Sequence, residues 1–197
     1  MRKMSNIAGI LLAAGESTRM GEPKPLLPYG ESTFIDTILN NLAAVKCEPI
    51  ISILGSAADL ICTQTSVNAY QCFNNPHPEF GQLSSLKIAI EHLPPETTGF
   101  LLTLVDHPLV KPETYEEMMR YAEKYSDKII IPEFFGRRGH PVYFGQPFFK
   151  LILDLPLDQG ANVIVRENQE NIQIFPVNDA GILKDIDTRD DFKREVH

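Results

Sequence analysis

Short apolar runs alternate with amphipathic segments through the first two thirds of the chain, the pattern of βαβ units joined into a mainly parallel sheet. Ile7-Ala8-Gly9-Ile10-Leu11-Leu12 has the unbroken apolarity of a strand covered on both faces. Ser32 or Thr33 is placed to cap a helix whose Ile35, Ile38, Leu39 and Leu42 share one face. Residues 49–54 read as the second strand, a helix begins at about Ala57, and residues 70–73 form a short third strand. Pro76 and Pro78 make the next segment a loop, after which Leu83, Leu86, Ile90 and Leu93 recur at helical spacing. Residues 100–105 are the clearest later strand and end at Asp106. Pro112 in a first turn, with Glu113, Glu116 and Glu117 early and Lys124 late, marks a helix over 112–125. Beyond it the pattern predicts a strand at 129–131, a turn over Gly136-Arg137-Arg138-Gly139 leading into residues 140–144, and helices at 147–154 and 161–167. Strands are expected at 172–177 and 182–186, with a last helix from Thr188.

Composition narrows the class. A chain of 197 residues suits one domain with a proper core, and 43% hydrophobic with 22% charged residues is ordinary for a globular protein. The net charge of −8 argues against broad binding to nucleic acid or anionic membrane, while leaving room for a local basic pocket that takes a small phosphate compound. Cys47, Cys62 and Cys72 lack metal-site spacing and cannot all pair, which points to a reducing compartment. Arg2 and Lys3 precede an apolar run, but that run is far short of a span of about 20 residues and reads as the first strand, so the expected location is the cytoplasm.

The chemistry begins where the first strand ends, in Leu12-Ala13-Ala14-Gly15-Glu16-Ser17-Thr18-Arg19-Met20-Gly21-Glu22-Pro23-Lys24. Small residues let the backbone approach a ligand, and successive N–H groups in such a turn form an anion site. Arg19 can fork across two phosphate oxygens and Lys24 supplies a point charge. The spacing matches neither a Walker loop nor the dinucleotide fingerprint, which favours a mononucleotide grip. Asp106, at the carboxyl end of a buried strand, faces the same crevice in such a fold and can hold Mg²⁺ against phosphate oxygens, or alternatively start a turn before Pro108. An extended Asp185-Ile186-Asp187 would direct both carboxylates to one side, making Asp187 the second candidate metal ligand; Asp187 or Thr188 is equally suited to cap the last helix. Gly81, Ser84 and Ser85 suit a base and ribose, and a simple serine cap explains one of them as well. His140 can meet an anionic acceptor or be structural, and neither His77 nor His107 completes a nucleophile triad.

Taken in order, Leu12 through Lys24, Gly81 to Leu86, Leu104-Val105-Asp106-His107-Pro108, Gly139-His140-Pro141-Val142 and Asp185-Ile186-Asp187-Thr188 resemble the molybdenum cofactor cytidylyltransferase family, within the wider MobA-like nucleotidyltransferases. The resemblance covers nearly the whole chain and implies a single-domain, Rossmann-like three-layer α/β sandwich of the nucleotide-diphospho-sugar transferase type, over residues 1–197. It implies transfer of CMP from CTP to the phosphate of a molybdopterin-type cofactor, with pyrophosphate released, and delivery of the product to a molybdoenzyme or its chaperone. In these terms Leu12, Ala13, Ala14, Gly15 and Ser17 contact the nucleotide, and Arg19 and Lys24 hold its phosphates. Gly81, Ser84 and Ser85 lie near the nucleoside, Asp106 and Asp187 bind Mg²⁺, and His140 meets the acceptor. Leu-Ala-Ala-Gly, where the guanylyl branch has Leu-Ala-Gly-Gly, favours CTP. His107 in place of Gln, Arg189 in place of Pro, and Asn162 where an Arg often follows Gly-Ala are departures that touch acceptor preference. Use of GTP, a sugar or alcohol phosphate acceptor, a glycosyltransferase built on the same architecture, or a non-catalytic nucleotide-binding role are the alternatives.

Overall fold

The computed structural model describes residues 6–17 and 20–196. Its strands are β1 (Ile7–Ala13), β2 (Pro28–Tyr29), β3 (Ser32–Thr33), β4 (Ile50–Leu54), β5 (Gln71–Asn74), β6 (Gly99–Leu104), β7 (Ile129–Phe134), β8 (Arg137–Arg138), β9 (Val142–Gly145) and β10 (Ile172–Pro176). The helices are α1 (Phe34–Ala44), α2 (Ala58–Gln64), α3 (Gln82–Glu91), α4 (Pro112–Lys124), α5 (Phe149–Asp154), α6 (Asn162–Glu167) and α7 (Arg189–Glu195). The central sheet runs β10-β7-β9-β6-β1-β4-β5, with β8 paired to β7. β1 is parallel to both β4 and β6; within this sheet, among the described residues, β9 and β8 run against their neighbours, and β2 and β3 form a separate antiparallel pair.

Every residue of β1 is buried, as its apolar run requires, and the period of two divides it between two cores. Ile7, Leu11 and Ala13 join a core under α1 and α4, while Ala8, Ile10 and Leu12 join the core under α3 and α5. Helices on both faces give the three layers. The helical stripe Ile35, Ile38, Leu39 and Leu42 is buried, and α1 starts where Thr33 accepts the Asp36 N–H at 3.2 Å. Strand order reverses at β1, between β4 and β6, so the crevice beyond the carboxyl ends of β1 and β6 is the place where open α/β sheets take ligands.

Two expectations change. Residues 182–186 do not form a strand: the chain makes a 3-10 turn over Ala180–Leu183 and then runs irregularly to Asp187. Buried Asp179 imposes that turn, because its carboxylate accepts the N–H groups of Gly181 (2.8 Å) and Lys111 (2.9 Å) and the hydroxyl of Thr114 (2.7 Å). The segment then binds the strand-end loops, with Ile182 O accepting from His140 N at 3.0 Å and Ile186 N donating to Asp106 O at 2.8 Å. Likewise Arg137 and Arg138 are not the turn but a strand paired to β7. The reversal falls one step earlier, at Phe135 and Gly136, which both have positive φ as a two-residue hairpin loop demands.

Candidate active site

The loop after β1 is held by its own backbone and one hydroxyl. Met20 N donates to Ser17 O at 2.9 Å, and Ser17 Oγ accepts the Lys24 N–H at 3.0 Å. Lys24 opens a 3-10 turn whose Pro25 is buried, which fixes the base of the lysine side chain. Arg19, the other proposed phosphate ligand, lies outside the described residues. At the far end of the chain Thr188 caps α7 in a reciprocal box with Asp191, and Ile186 is fully buried. Between those two anchors Asp187 turns into a cavity of about 320 Å³ at the carboxyl ends of β1 and β6.

Leu12, Ala14, Gly15, Ser17 and Lys24 line that cavity from one side, Gly81 and Ser85 from another, and Asp106 with Asp187 close its floor. Ala13 does not face it: the side chain packs in the opposite core and borders a separate crevice beside Gly55 and Ile61. Ser84 is not in its lining either. The Ser84 hydroxyl donates to Gly81 O at 2.8 Å and accepts from Asn75 Nδ2 at 2.8 Å, while Ser85 Oγ accepts from the same amide at 2.9 Å. Asn75, read from the sequence only as part of a loop, thus ties both serines to the end of β5, and its Oδ1 accepts the His77 N–H at 2.9 Å. Arg189 is a second residue whose role the sequence hid. Its Nε donates to Met20 O at 2.8 Å, so the last helix braces the first loop.

The Lys24 ammonium donates to Asp187 Oδ1 and stands 3.8 Å from Asp106 Oδ2. Burial raises the Asp106 carboxyl above its usual range; Lys24 pulls it back down and Asp187 pushes it up. Asp106 Oδ1 is buried without a hydrogen-bond partner among the described residues, with His107 Nε2 3.8 Å away. Two carboxylates converging on one cation, one of them with an uncommitted buried oxygen, are hard oxygen donors fitted to a divalent ion. No cluster of three or more His, Cys, Asp or Glu suited to a metal occurs among the described residues. An ion held here would complete its shell with phosphate oxygens and water, as Mg²⁺ does.

A second cavity, of about 1130 Å³, shares Leu12, Gly81 and Gln82 with the first. Leu102, Ile131, Val142 and Phe144 give it an apolar floor, and His140, Arg138 and Arg166 stand on its walls. The His107 and His140 rings lie 4.9 Å apart, and burial pushes each imidazole down to about 4, so both are neutral at physiological pH. Of the residues expected from sequence, then, the structure brings Leu12, Ala14, Gly15, Ser17, Lys24, Gly81, Ser85, Asp106 and Asp187 to one cavity and puts His140 in the adjoining one.

No helix among the described residues is long and apolar enough to cross a membrane, and the three cysteines are free thiols. Comparison with known proteins places this geometry. The molybdenum cofactor cytidylyltransferase of Escherichia coli K12 is 28% identical over 96% of this chain and 95% of its own. The nicotine blue oxidoreductase of Paenarthrobacter nicotinovorans is 25% identical over 92% of each chain. The crystal structure of Rv0371c from Mycobacterium tuberculosis H37Rv superposes with a TM-score of 0.88 at 28% identity, covering 98% of both chains. The complex of that protein with manganese gives 0.83 at 27% identity over the same shares. The MobA-like NTP transferase domain matches residues 9–172, and the chain belongs to that family of nucleotidyltransferases.

Proposed function

We propose that the protein works in molybdenum cofactor biosynthesis, moving CMP from CTP to the phosphate of a molybdopterin-type cofactor with release of pyrophosphate. The observation that carries this reading is the convergence of Lys24 on Asp106 and Asp187, in a cavity that shares Leu12, Gly81 and Gln82 with a larger one. The full-length similarity to the E. coli cytidylyltransferase supports the donor and the acceptor. Ala14 lines the nucleotide cavity with a methyl group where the guanylyl branch has glycine, which favours the smaller pyrimidine.

In this reading the triphosphate lies along the loop from Ala14 to Lys24, with the nucleoside toward Gly81 and Ser85. The acceptor body occupies the cavity of His140 and brings its phosphate to the shared rim. An oxygen of that phosphate forms a bond to the α-phosphorus as the bond from this phosphorus to the bridging β-phosphate oxygen breaks in line, so no protein nucleophile is needed. Lys24 stabilises charge on the departing pyrophosphate, with Arg19 as the second cation expected from the sequence. Asp106 and Asp187 would hold Mg²⁺, which supplies charge neutralisation at the α-phosphate. The three free thiols accord with work in a reducing cytoplasm.

The test is pyrophosphate release with CTP, GTP, ATP and UTP in the presence of the molybdopterin cofactor, with the product weighed by mass spectrometry. A CMP adduct formed from CTP is expected. Loss of a transition-state charge partner in Lys24→Ala or Asp106→Ala should lower kcat about 10²-fold or more. Unchanged turnover in both would refute the mechanism; a GMP adduct would reassign the base, and reaction only with sugar or alcohol phosphates would reassign the acceptor. The similarity to the nicotine blue oxidoreductase favours a second reading, an oxidoreductase whose substrate occupies the larger cavity. Turnover of nicotine blue with a supplied redox partner, and no pyrophosphate release from any NTP, would put that reading first.

A further inference from the structure

We propose, on the reading that the nucleotide fills the smaller cavity and the acceptor the larger, that Gln82 seats the acceptor phosphate. Its side-chain amide donates to a non-attacking oxygen of that phosphate where the two cavities meet, so the residue sets turnover of the acceptor and leaves nucleotide binding alone. Among the described residues the two cavities share Leu12, Gly81 and Gln82. Leu12 is apolar and Gly81 has no side chain, so of these three Gln82 alone brings a polar side chain to the junction. The 3-10 turn over Pro78–Phe80 stands just before it and separates the two spaces. Pro78 borders the smaller cavity and not the larger, and Phe80 borders the larger and not the smaller.

Gln82 is fixed at its base and uncommitted at its tip. Gly81 N donates to Pro78 O at 3.0 Å and the Ser84 hydroxyl donates to Gly81 O at 2.8 Å, which pins the backbone immediately before it. Leu83 and Leu86 are buried and hold the first turn of α3 against the sheet. The Gln82 side chain is exposed and makes no hydrogen bond among the described residues. The chemistry at the junction asks for a neutral donor. Two anionic groups, the acceptor phosphate and the α-phosphate, must come within bonding distance there, and an amide N–H holds one oxygen of the first without giving it a proton. A carboxylate in its place would repel both phosphates. With one oxygen held, another oxygen of the acceptor phosphate forms its bond to the α-phosphorus as the bond to the bridging β-phosphate oxygen breaks. The amide neither gains nor loses a proton, and its contribution is orientation.

The test compares Gln82→Met, which keeps the length of the side chain and removes the donor, with Gln82→Glu, which keeps the shape and adds a charge that repels phosphate. Both changes lie on an exposed helix start, and an unchanged thermal transition checks that each variant folds. Pyrophosphate release is followed with CTP and Mg²⁺ at varied concentrations of the molybdopterin cofactor. In Gln82→Met the kcat/KM for the acceptor should fall about tenfold or more, the effect of one hydrogen bond to a charged group, and in Gln82→Glu it should fall further. Calorimetric binding of CTP with Mg²⁺, in the absence of acceptor, should be unchanged in Gln82→Met. Acceptor kinetics equal in Gln82→Met and the unsubstituted protein would overturn the role of Gln82 and leave nucleotidyl transfer standing. CTP binding weakened in Gln82→Met by as much as turnover falls would also overturn it, by making Gln82 a nucleotide contact. No nucleotidyl product from any NTP with the unsubstituted protein would overturn the transfer reaction and the role of Gln82 together.

Discussion

Asn75 ties down the cavity wall of Gly81 and Ser85 that we propose for the nucleoside, and replacing that residue by alanine tests whether it does. Its side chain is almost fully buried and makes contacts of 2.8 Å to Ser84 Oγ, 2.9 Å to Ser85 Oγ and 2.9 Å from the His77 N–H. Each such bond contributes about 0.5–1.5 kcal/mol net, and the three together set the expected loss at about 3 kcal/mol. The loss is held to that range because Ser84 keeps its bond to Gly81 O and the His77 N–H is close enough to solvent to recruit water. For a chain of this length about 3 kcal/mol corresponds to a fall in Tm of about 6–12 °C. The effect should also be functional: the amide joins β5 to the first turn of α3, where Gly81 and Ser85 line the cavity, so KM for the nucleotide should rise several-fold. Thermal unfolding and steady-state kinetics measure the two sides. A Tm within about 2 °C of the unsubstituted protein would refute the hydrogen-bond argument, since it corresponds to about 0.5–1 kcal/mol, one such bond at most and not three. A large fall in Tm with an unchanged KM would refute the claim that the amide positions the nucleoside wall.

Other expectations follow from contacts at the same crevice. Arg189→Ala removes the bond from α7 to Met20 O and should raise KM for the nucleotide more than it lowers Tm, because the loop loses its brace and the core loses nothing; equal KM values would sink the idea. Gly55→Ala would put a Cβ 2.3 Å from the Ala14 carbonyl oxygen, forcing the loop after β1 to shift, so weaker nucleotide binding by calorimetry is expected and unaltered binding would show the loop to be tolerant. Thr188→Ala deletes the cap of α7 and should cost about 1 kcal/mol in urea unfolding. Because Thr188 follows Asp187 directly, the divalent-ion concentration for half-maximal turnover should rise as well, and a pure stability loss would argue that the cap does not position the carboxylate.

The sheet was legible because its evidence is local. The run from Ile7 to Leu12 is buried throughout, the stripe on α1 faces the core, and Pro112 opens α4, each as periodicity and end signals require. Residues 182–186 misled because their apolar pattern is satisfied without a ladder. Ile182 and Ile186 are buried by a chain that follows the strand-end loops, and the carboxylate that bends it, Asp179, bonds to Lys111 and Thr114 from the other side of α4's first turn. Nothing in a short window records that partnership. The same limit hid Asn75, whose importance lies in two serines that a turn signature does not mention, and Arg189, whose contact is 169 residues away.

The central pair of the site also joins distant parts of the chain. Lys24 and Asp187 are 163 residues apart, yet each is fixed locally, the lysine by Ser17 and Pro25 and the aspartate by buried Ile186 and the Thr188 cap. A sequence can therefore mark both as candidates from their own neighbourhoods, one after a strand-end glycine and one before a capping threonine. It cannot state that they touch. That fact comes from the order reversal at β1, which sets the carboxyl end of β6 beside the first loop, and from the bond of Ile186 N to Asp106 O, which draws the tail across both. The consequence is chemical: the cation and the two carboxylates are within reach of one another before any ligand arrives.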